Sequence, residues 1–208
     1  RRQPARVGDR RQQRTVAASP SAQAPAAFAM AASAADGGGG GDGGKAVDWS
    51  VLRGAGVEDM VKLPELTVDS ILANLKTRFD GGLIYSSVGT ILVAVNPYQQ
   101  LPIYSTTIAN SYNNKRMGDV PPHVFAVADA AYRDMLDFQR SQAVIISGES
   151  GAGKSETTKL LLQYLSSVTA THSVVEQKIL ESSPLLEAFG NCKTVNNNNS
   201  SRFGKFTK

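Results

Sequence analysis

The strongest chemical signal in this chain is the run Gly148-Glu-Ser-Gly-Ala-Gly-Lys-Ser155. Glycines at 148, 151 and 153 let the backbone bend around an anion with no side chain in the way. The loop N–H groups then point inward as a nest. A helix starting directly afterwards aims the positive end of its dipole at the same place. Lys154 adds a point charge directed at the outer phosphates of a nucleotide, and Ser155 adds a hydroxyl for Mg²⁺. The pattern G-x-x-x-x-G-K-[ST] is met at each fixed position. Glu149, Ser150, Ala152 and Glu156 complete the predicted cradle. The chemistry is phosphate binding, and the loop alone does not say which phosphoryl reaction follows.

Such a loop works only between a strand and a helix. Ala143–Ser147 reads as a buried strand, and Glu156–Val168 reads as a helix carrying Leu160, Leu161, Leu162, Tyr164 and Leu165. Upstream, Leu66–Phe79 has helical apolar spacing, and Asp80-Gly81-Gly82 marks a turn. Thr90–Val95 reads as a second buried strand that stops at Pro97. His123–Arg140 repeats apolar residues at helical spacing, with Pro121 and Pro122 at its start. Val174–Leu180 predicts another helix, broken at Pro184, and Asn196–Asn199 a polar loop. Strands alternating with helices predict an α/β fold of P-loop NTPase type, with a partial, mostly parallel sheet flanked by helices.

The formal net charge is +4, but six arginines lie within residues 1–14 against one acid, Asp9. The basic excess therefore belongs to the start of the chain, and no nucleic-acid partner is predicted from it. Residues 1–45 are rich in Ala, Ser, Pro, Gln and Gly, and Asp36–Gly44 is nearly all glycine. They read as a disordered low-complexity tail ahead of one domain at 46–208. An organelle transit peptide is the alternative reading of the Arg-rich start. The single cysteine, Cys192, has no partner within the chain. It reads as a small core residue in a reducing compartment. No apolar run approaches the ~18 residues that span a bilayer. His123 and His172 are far apart with no acid or thiol converging on them, so no histidine metal site is predicted. Tyr132 and Tyr164 read as core residues. Glu181 and Glu187 read as a solvated helix face, with pocket acids as the alternative.

The residues around the loop narrow the reading. Gly148 to Leu160 closely resembles the phosphate loop and following helix of the myosin motor domain. Gly56-Val-Glu-Asp-Met60 resembles the entry to that domain. Val93-Ala-Val-Asn-Pro-Tyr98 with Leu101-Pro-Ile-Tyr104 resembles its purine-binding loop. Pro121 to Tyr132 resembles the helix before the phosphate strand. Leu180 to Asn191, with Asn199-Ser-Ser-Arg-Phe-Gly-Lys-Phe206, resembles the stretch through switch I. These motifs stand in order from about Trp49 to Lys208.

This resemblance implies ATP and Mg²⁺ as ligands. Asn96, Pro97, Tyr98 and Tyr104 would line the adenine site. Asn197 and Ser200 would approach the γ-phosphate, and Ser201 would join Ser155 around Mg²⁺. Arg202 would form an ion pair with a switch II glutamate. Elementary chemistry agrees in part, because Asn and Ser followed by Arg supply donors for phosphate oxygens and hydroxyls for a metal. Phosphoryl transfer to water needs positioning and charge stabilisation, so it needs no Ser–His or Cys–His pair. The implied partners are actin filaments and, in the intact protein, calmodulin-like light chains. The implied setting is the actin cytoskeleton of the cytoplasm.

The chain departs from the family pattern at several points. Asn196 stands where many relatives carry Arg, and Gln99 where many carry Lys. No stretch of these residues resembles the SH3-like N-terminal subdomain common in the family, so none is expected, as in some classes. The chain begins with Arg rather than Met and ends at Lys208, directly after switch I. The expectation is therefore a truncated motor domain that binds nucleotide, with hydrolysis and movement on actin belonging to the intact protein. A short nucleotide-binding or interaction protein is the alternative. A small-molecule kinase is a weaker one, opposed by the purine-loop and switch I resemblance. Motor class, direction, cargo and oligomeric state are not legible.

Overall fold

A computed structural model describes residues 13–18, 53–169, 174–195 and 197–202. In chain order the elements are β1 (Gln13–Ala18), α1 (Val68–Asp80), β2 (Tyr85–Val88), β3 (Ile91–Ala94), α2 (Thr106–Tyr112) and α3 (Val124–Phe138). They continue with β4 (Ala143–Ser147), α4 (Lys154–Val168), α5 (Val174–Gly190), β5 (Asn191–Cys192) and β6 (Ser200–Ser201).

Local chemistry sets the helix starts. Thr67 and Ser70 form a reciprocal capping box ahead of α1. The Ser105 hydroxyl accepts from the Ile108 N–H at α2. At α3 the cap is His123, whose Nδ1 accepts from the Phe125 N–H at 3.1 Å. α4 is different: it begins after Gly153, at φ 90°, with no side-chain cap. Its first N–H groups are left facing outward, as an anion site requires.

The main sheet has the order β2-β3-β1-β4. β2 and β3 form an antiparallel hairpin around Gly89, whose φ of 59° suits a residue without a side chain. β1 runs parallel to both of its neighbours. Val16 stands opposite Leu92 on one side and Ile146 on the other. β4 thus reaches the rest of the sheet through β1. β5 and β6 make a separate two-stranded antiparallel ribbon.

The core lies on one face of the main sheet. Leu92 and Ala94 of β3 join Val124, Phe125, Val127 and Ala128 of α3, together with Leu161 and Tyr164 of α4. Val144 and Ile146 of β4 pack against the same cluster. Two polar anchors tie the helices to it. Buried Asp129 accepts from the Tyr164 hydroxyl at 2.9 Å and pairs with Arg133 at 2.9 Å. Buried Arg78 donates to the Tyr85 carbonyl and the Ser86 hydroxyl, at 2.9 Å each. Burial lowers the Arg78 pKa, opposed by the field of Glu58.

Four sequence expectations are corrected here. Residues 13–18 form a strand, where a disordered tail was expected; Thr-Val-Ala has enough β character to be taken up between two open strand edges. Pro184 does not end its helix, which runs on to Gly190. A proline removes one donor, and the flanking turns can carry that loss. β4 is not buried on both faces: Ala143, Ile145 and Ser147 are exposed, because the described helices pack on the Val144 and Ile146 side. Cys192 is exposed, since it lies on a two-stranded ribbon rather than in the core.

Tyr164 is buried as expected, and Tyr132 is half-buried. His172 lies outside the described residues, as does the remainder of 1–45. No group of three or more His, Cys, Asp or Glu side chains converges on a metal position among the described residues. No described helix is long and apolar enough to cross a membrane.

Candidate functional site

The loop 148–155 leaves β4 and enters α4 as its sequence demands. Gly148, Gly151 and Gly153 adopt φ values of 150°, 86° and 90°, a region L side chains rarely occupy. The Lys154 ammonium donates to the carbonyls of Gly148 and Glu149, both at 2.7 Å, which places it across the mouth of the loop. The Ala152 N–H closes a turn onto the Glu149 carbonyl at 3.2 Å. Uncapped helix N–H groups, positive-φ glycines and one ammonium fit a polyphosphate.

Two clefts meet at this loop. The larger, about 600 Å³, lies between the segment after β3 and the first turns of α4. Asn96, Pro97, Tyr98 and Tyr104 line it, with Ala152, Gly153 and Glu156 opposite. The smaller, about 270 Å³, is lined by Ser150, Gly151, Gly153, Lys154, Ser155 and Glu156 of the loop and first helical turn. Asn197, Ser200 and Ser201 of the 191–201 hairpin complete its lining. Asn96, Tyr98, Gly153 and Glu156 border both clefts, so the two adjoin.

Hydrogen bonds fix the walls. The Asn96 amide donates to the Gly151 carbonyl at 2.7 Å. Its oxygen accepts from the Tyr98 N–H at 2.9 Å, which supports Tyr98 at φ 52°. The Ser150 hydroxyl lies 3.0 Å from that of Ser200 and 3.3 Å from that of Thr194, joining the loop to the β5–β6 ribbon. Asn197 is held by Thr194, whose hydroxyl accepts its N–H at 3.0 Å and donates to its carbonyl at 3.0 Å. The Asn191 amide donates to Asn199 Oδ1 at 2.6 Å. The polar run at 197–201 is therefore a tied hairpin end, a property no periodicity could reveal.

Most of the expected residues are brought together, and a few are not. Gly148 and Glu149 border neither cleft directly but hold Lys154 through their carbonyls. Arg202 also lies outside both cleft walls. Its N–H donates to the Gly190 carbonyl at 3.3 Å, and its side chain forms no ion pair among the described residues. Asn196 lies outside the described residues.

The structure also adds residues that sequence reasoning passed over. Tyr85 and Gln163 line the larger cleft. Glu187 lines the smaller one, where a solvated helix face was expected; it faces Lys159 at 3.4 Å and is largely covered. Burial alone would lower the Lys159 pKa, but pairing with Glu156 and Glu187 outweighs it and the value rises. No local signal marks these positions, because each acquires its neighbours through the fold.

Comparison with known proteins gives a consistent picture. The family model described as Myosin head (motor domain) matches residues 57–208. The chain is 59% identical over 150 residues to a Myosin-I heavy chain of Dictyostelium discoideum, covering 72% of this chain and 6% of that one. It is 54% identical over 151 residues to Myosin-VIIa of Drosophila melanogaster, covering 73% of this chain and 7% of that one. It is also 54% identical over 154 residues to Unconventional myosin-XV of Homo sapiens, covering 74% of this chain and 4% of that one. The chain thus spans less than a tenth of the length of these relatives.

Proposed function

This chain belongs to the myosin head (motor domain) family, and from that membership we propose that it carries the ATP site of an actin-based motor ATPase. One observation carries the assignment of the site. A cleft large enough for a nucleoside borders a glycine-rich phosphate loop at Gly153, so one ligand with an aromatic end and a polyphosphate end can span both.

The roles follow from position. Gly151, Gly153 and the first turn of α4 present N–H groups to phosphate oxygens, and Lys154 neutralises charge. Ser155 and Ser201, which both line the smaller cleft, would supply hydroxyls to Mg²⁺. Asn197 and Ser200 would approach the terminal phosphate. Asn96, Pro97, Tyr98 and Tyr104, which line the larger cleft, would enclose the base. Mg²⁺, when bound, would supply charge neutralisation. In the intact protein, hydrolysis of ATP by water would be coupled to actin binding, with light chains as further partners, on the actin cytoskeleton.

Titration with a fluorescent ATP analogue, with and without Mg²⁺, tests the assignment. Saturable binding that Lys154→Ala weakens about 100-fold is the expected result. Equal binding by the wild type and that variant would sink it.

A second reading is favoured by Arg202, which stands outside both clefts. Under it, this stretch binds nucleotide without turning it over. Phosphate release from the 208-residue chain, measured with and without actin filaments, separates the two readings.

A further inference from the structure

Tyr85, on β2, lines the larger cleft and is only 5% exposed. Its hydroxyl lies 3.0 Å from the hydroxyl of Tyr104, which borders the same cleft and is half-buried. The Tyr104 ring is backed by His123 and Phe125, at centroid separations of 5.5 and 6.1 Å. From α4, Gln163 donates to the Tyr104 carbonyl at 3.2 Å. Tyr104 is thus held at its hydroxyl, its ring and its backbone by three separate elements.

We propose that Tyr85 is a positioning residue that sets the base preference of the cleft by fixing the hydroxyl of Tyr104. The proposal rests on the nucleotide reading above and deepens it. Two hydroxyls in contact share one hydrogen, so the direction of that bond decides what the outer hydroxyl offers. Tyr85 is buried and its hydroxyl has no second hydrogen-bond partner among the described residues, so donating to Tyr104 is the arrangement that leaves its own hydrogen paired. Burial, together with Tyr104 and Tyr112, pushes its phenol well above the ordinary value, so it keeps that proton. Tyr104 is then left with one hydrogen and one lone pair turned to the cleft. That pair of functions suits N7 beside the amino group of adenine. The N7 and O6 of guanine, two adjacent acceptors on the same edge, would oppose a lone pair. A fixed hydroxyl discriminates, whereas a freely rotating one adapts to either base.

The test uses the full chain and three probes: MgATP, MgGTP and Mg-tripolyphosphate. In Tyr85→Phe, ATP affinity should fall about five-fold, GTP by less than about two-fold, and tripolyphosphate should be unchanged. Tyr104→Phe should give the same loss of preference, and adding Tyr85→Phe to it should change nothing further. A Tyr85→Phe chain that binds tripolyphosphate normally and keeps the wild-type ATP-to-GTP ratio overturns the proposal. If Tyr85→Phe loses tripolyphosphate as well, through misfolding, Tyr104→Phe decides. An unchanged ratio there also overturns it. A wild type that binds neither ATP nor tripolyphosphate refutes the nucleotide reading itself, a distinct result that takes this proposal with it.

Discussion

The side-chain amide of Asn96 donates to the carbonyl of Gly151 at 2.7 Å, across 55 positions of sequence. One side chain thereby locks the segment after β3 onto the phosphate loop. Its oxygen simultaneously holds the Tyr98 N–H. Base cleft and phosphate loop are one unit because of it. Asn96→Ala should weaken ATP binding about five- to ten-fold, the worth of one to two partly buried hydrogen bonds. Calorimetric titration measures this, and an affinity within two-fold of the wild type would contradict the coupling.

Lys154 carries the clearest charge at the site, with its ammonium 2.7 Å from two loop carbonyls. Charge-assisted bonds to phosphate contribute about 1.5–3 kcal/mol each. Lys154→Ala should therefore reduce ATP affinity about 100-fold while barely moving the thermal midpoint, since the side chain is only half-buried and contributes no part of the apolar core. A large fall in the midpoint with affinity retained would contradict this role.

β1 is the strand through which β4, and hence the phosphate loop, joins the main sheet. Val16 has neighbours on both sides, Leu92 and Ile146. Proline there removes a ladder donor from an interior strand. Val16→Pro should cost about 3 kcal/mol and speed proteolysis near β4. Chemical denaturation monitors the loss, and a variant with wild-type stability would mean β1 contributes nothing to the sheet.

Asp129 is fully buried, with Tyr164 and Arg133 as partners and a 3.4 Å contact from the Asn114 N–H. Asp129→Ala strands the buried Tyr164 hydroxyl and removes the Arg133 pair. A destabilisation of about 3 kcal/mol is expected, since Arg133 remains partly solvated. Tyr164→Phe should cost less, because it removes one bond and leaves Asp129 paired. Thermal melts that reverse this order would reject the account.

His123 titrates in a way that makes stability depend on pH. Burial lowers its pKa from 6.5 to about 3, opposed by a backbone contact at Ile103. The folded state therefore disfavours the charged ring. Its contribution is fully present above pH 6.5, falls as pH drops below that value, and levels off near 3. Between pH 7 and 5 the loss should be about 2 kcal/mol. His123→Asn, which keeps a capping acceptor for α3, should flatten this slope. Denaturant unfolding at the two pH values measures it, and an unchanged slope in the variant would assign the titration elsewhere.

Local physics made part of this molecule legible. The glycines at 148, 151 and 153, followed by Lys154, read directly as an anion cradle because positive φ is a property of the residue type. The helices around Leu72, Val127 and Leu161 followed from apolar spacing. Cys192 and Pro184 were misjudged, because exposure and helix persistence depend on what packs alongside. Asn197 looked like part of a low-complexity loop, and only its bonds to Thr194 and Asn199 make it one wall of a cleft.

The sequence by itself determined the proposed phosphate chemistry, since that depends on backbone freedom, one charge and one hydroxyl within eight consecutive residues. Tertiary structure alone decided the rest of the site. Tyr85 meets Tyr104 across a strand edge, Asn96 meets Gly151 across 55 residues, and Ser150 meets Ser200 across 50. Hydrogen bonds act over about 3 Å of space whatever the distance along the chain, so such pairings exist only once the sheet and helices have brought their ends together.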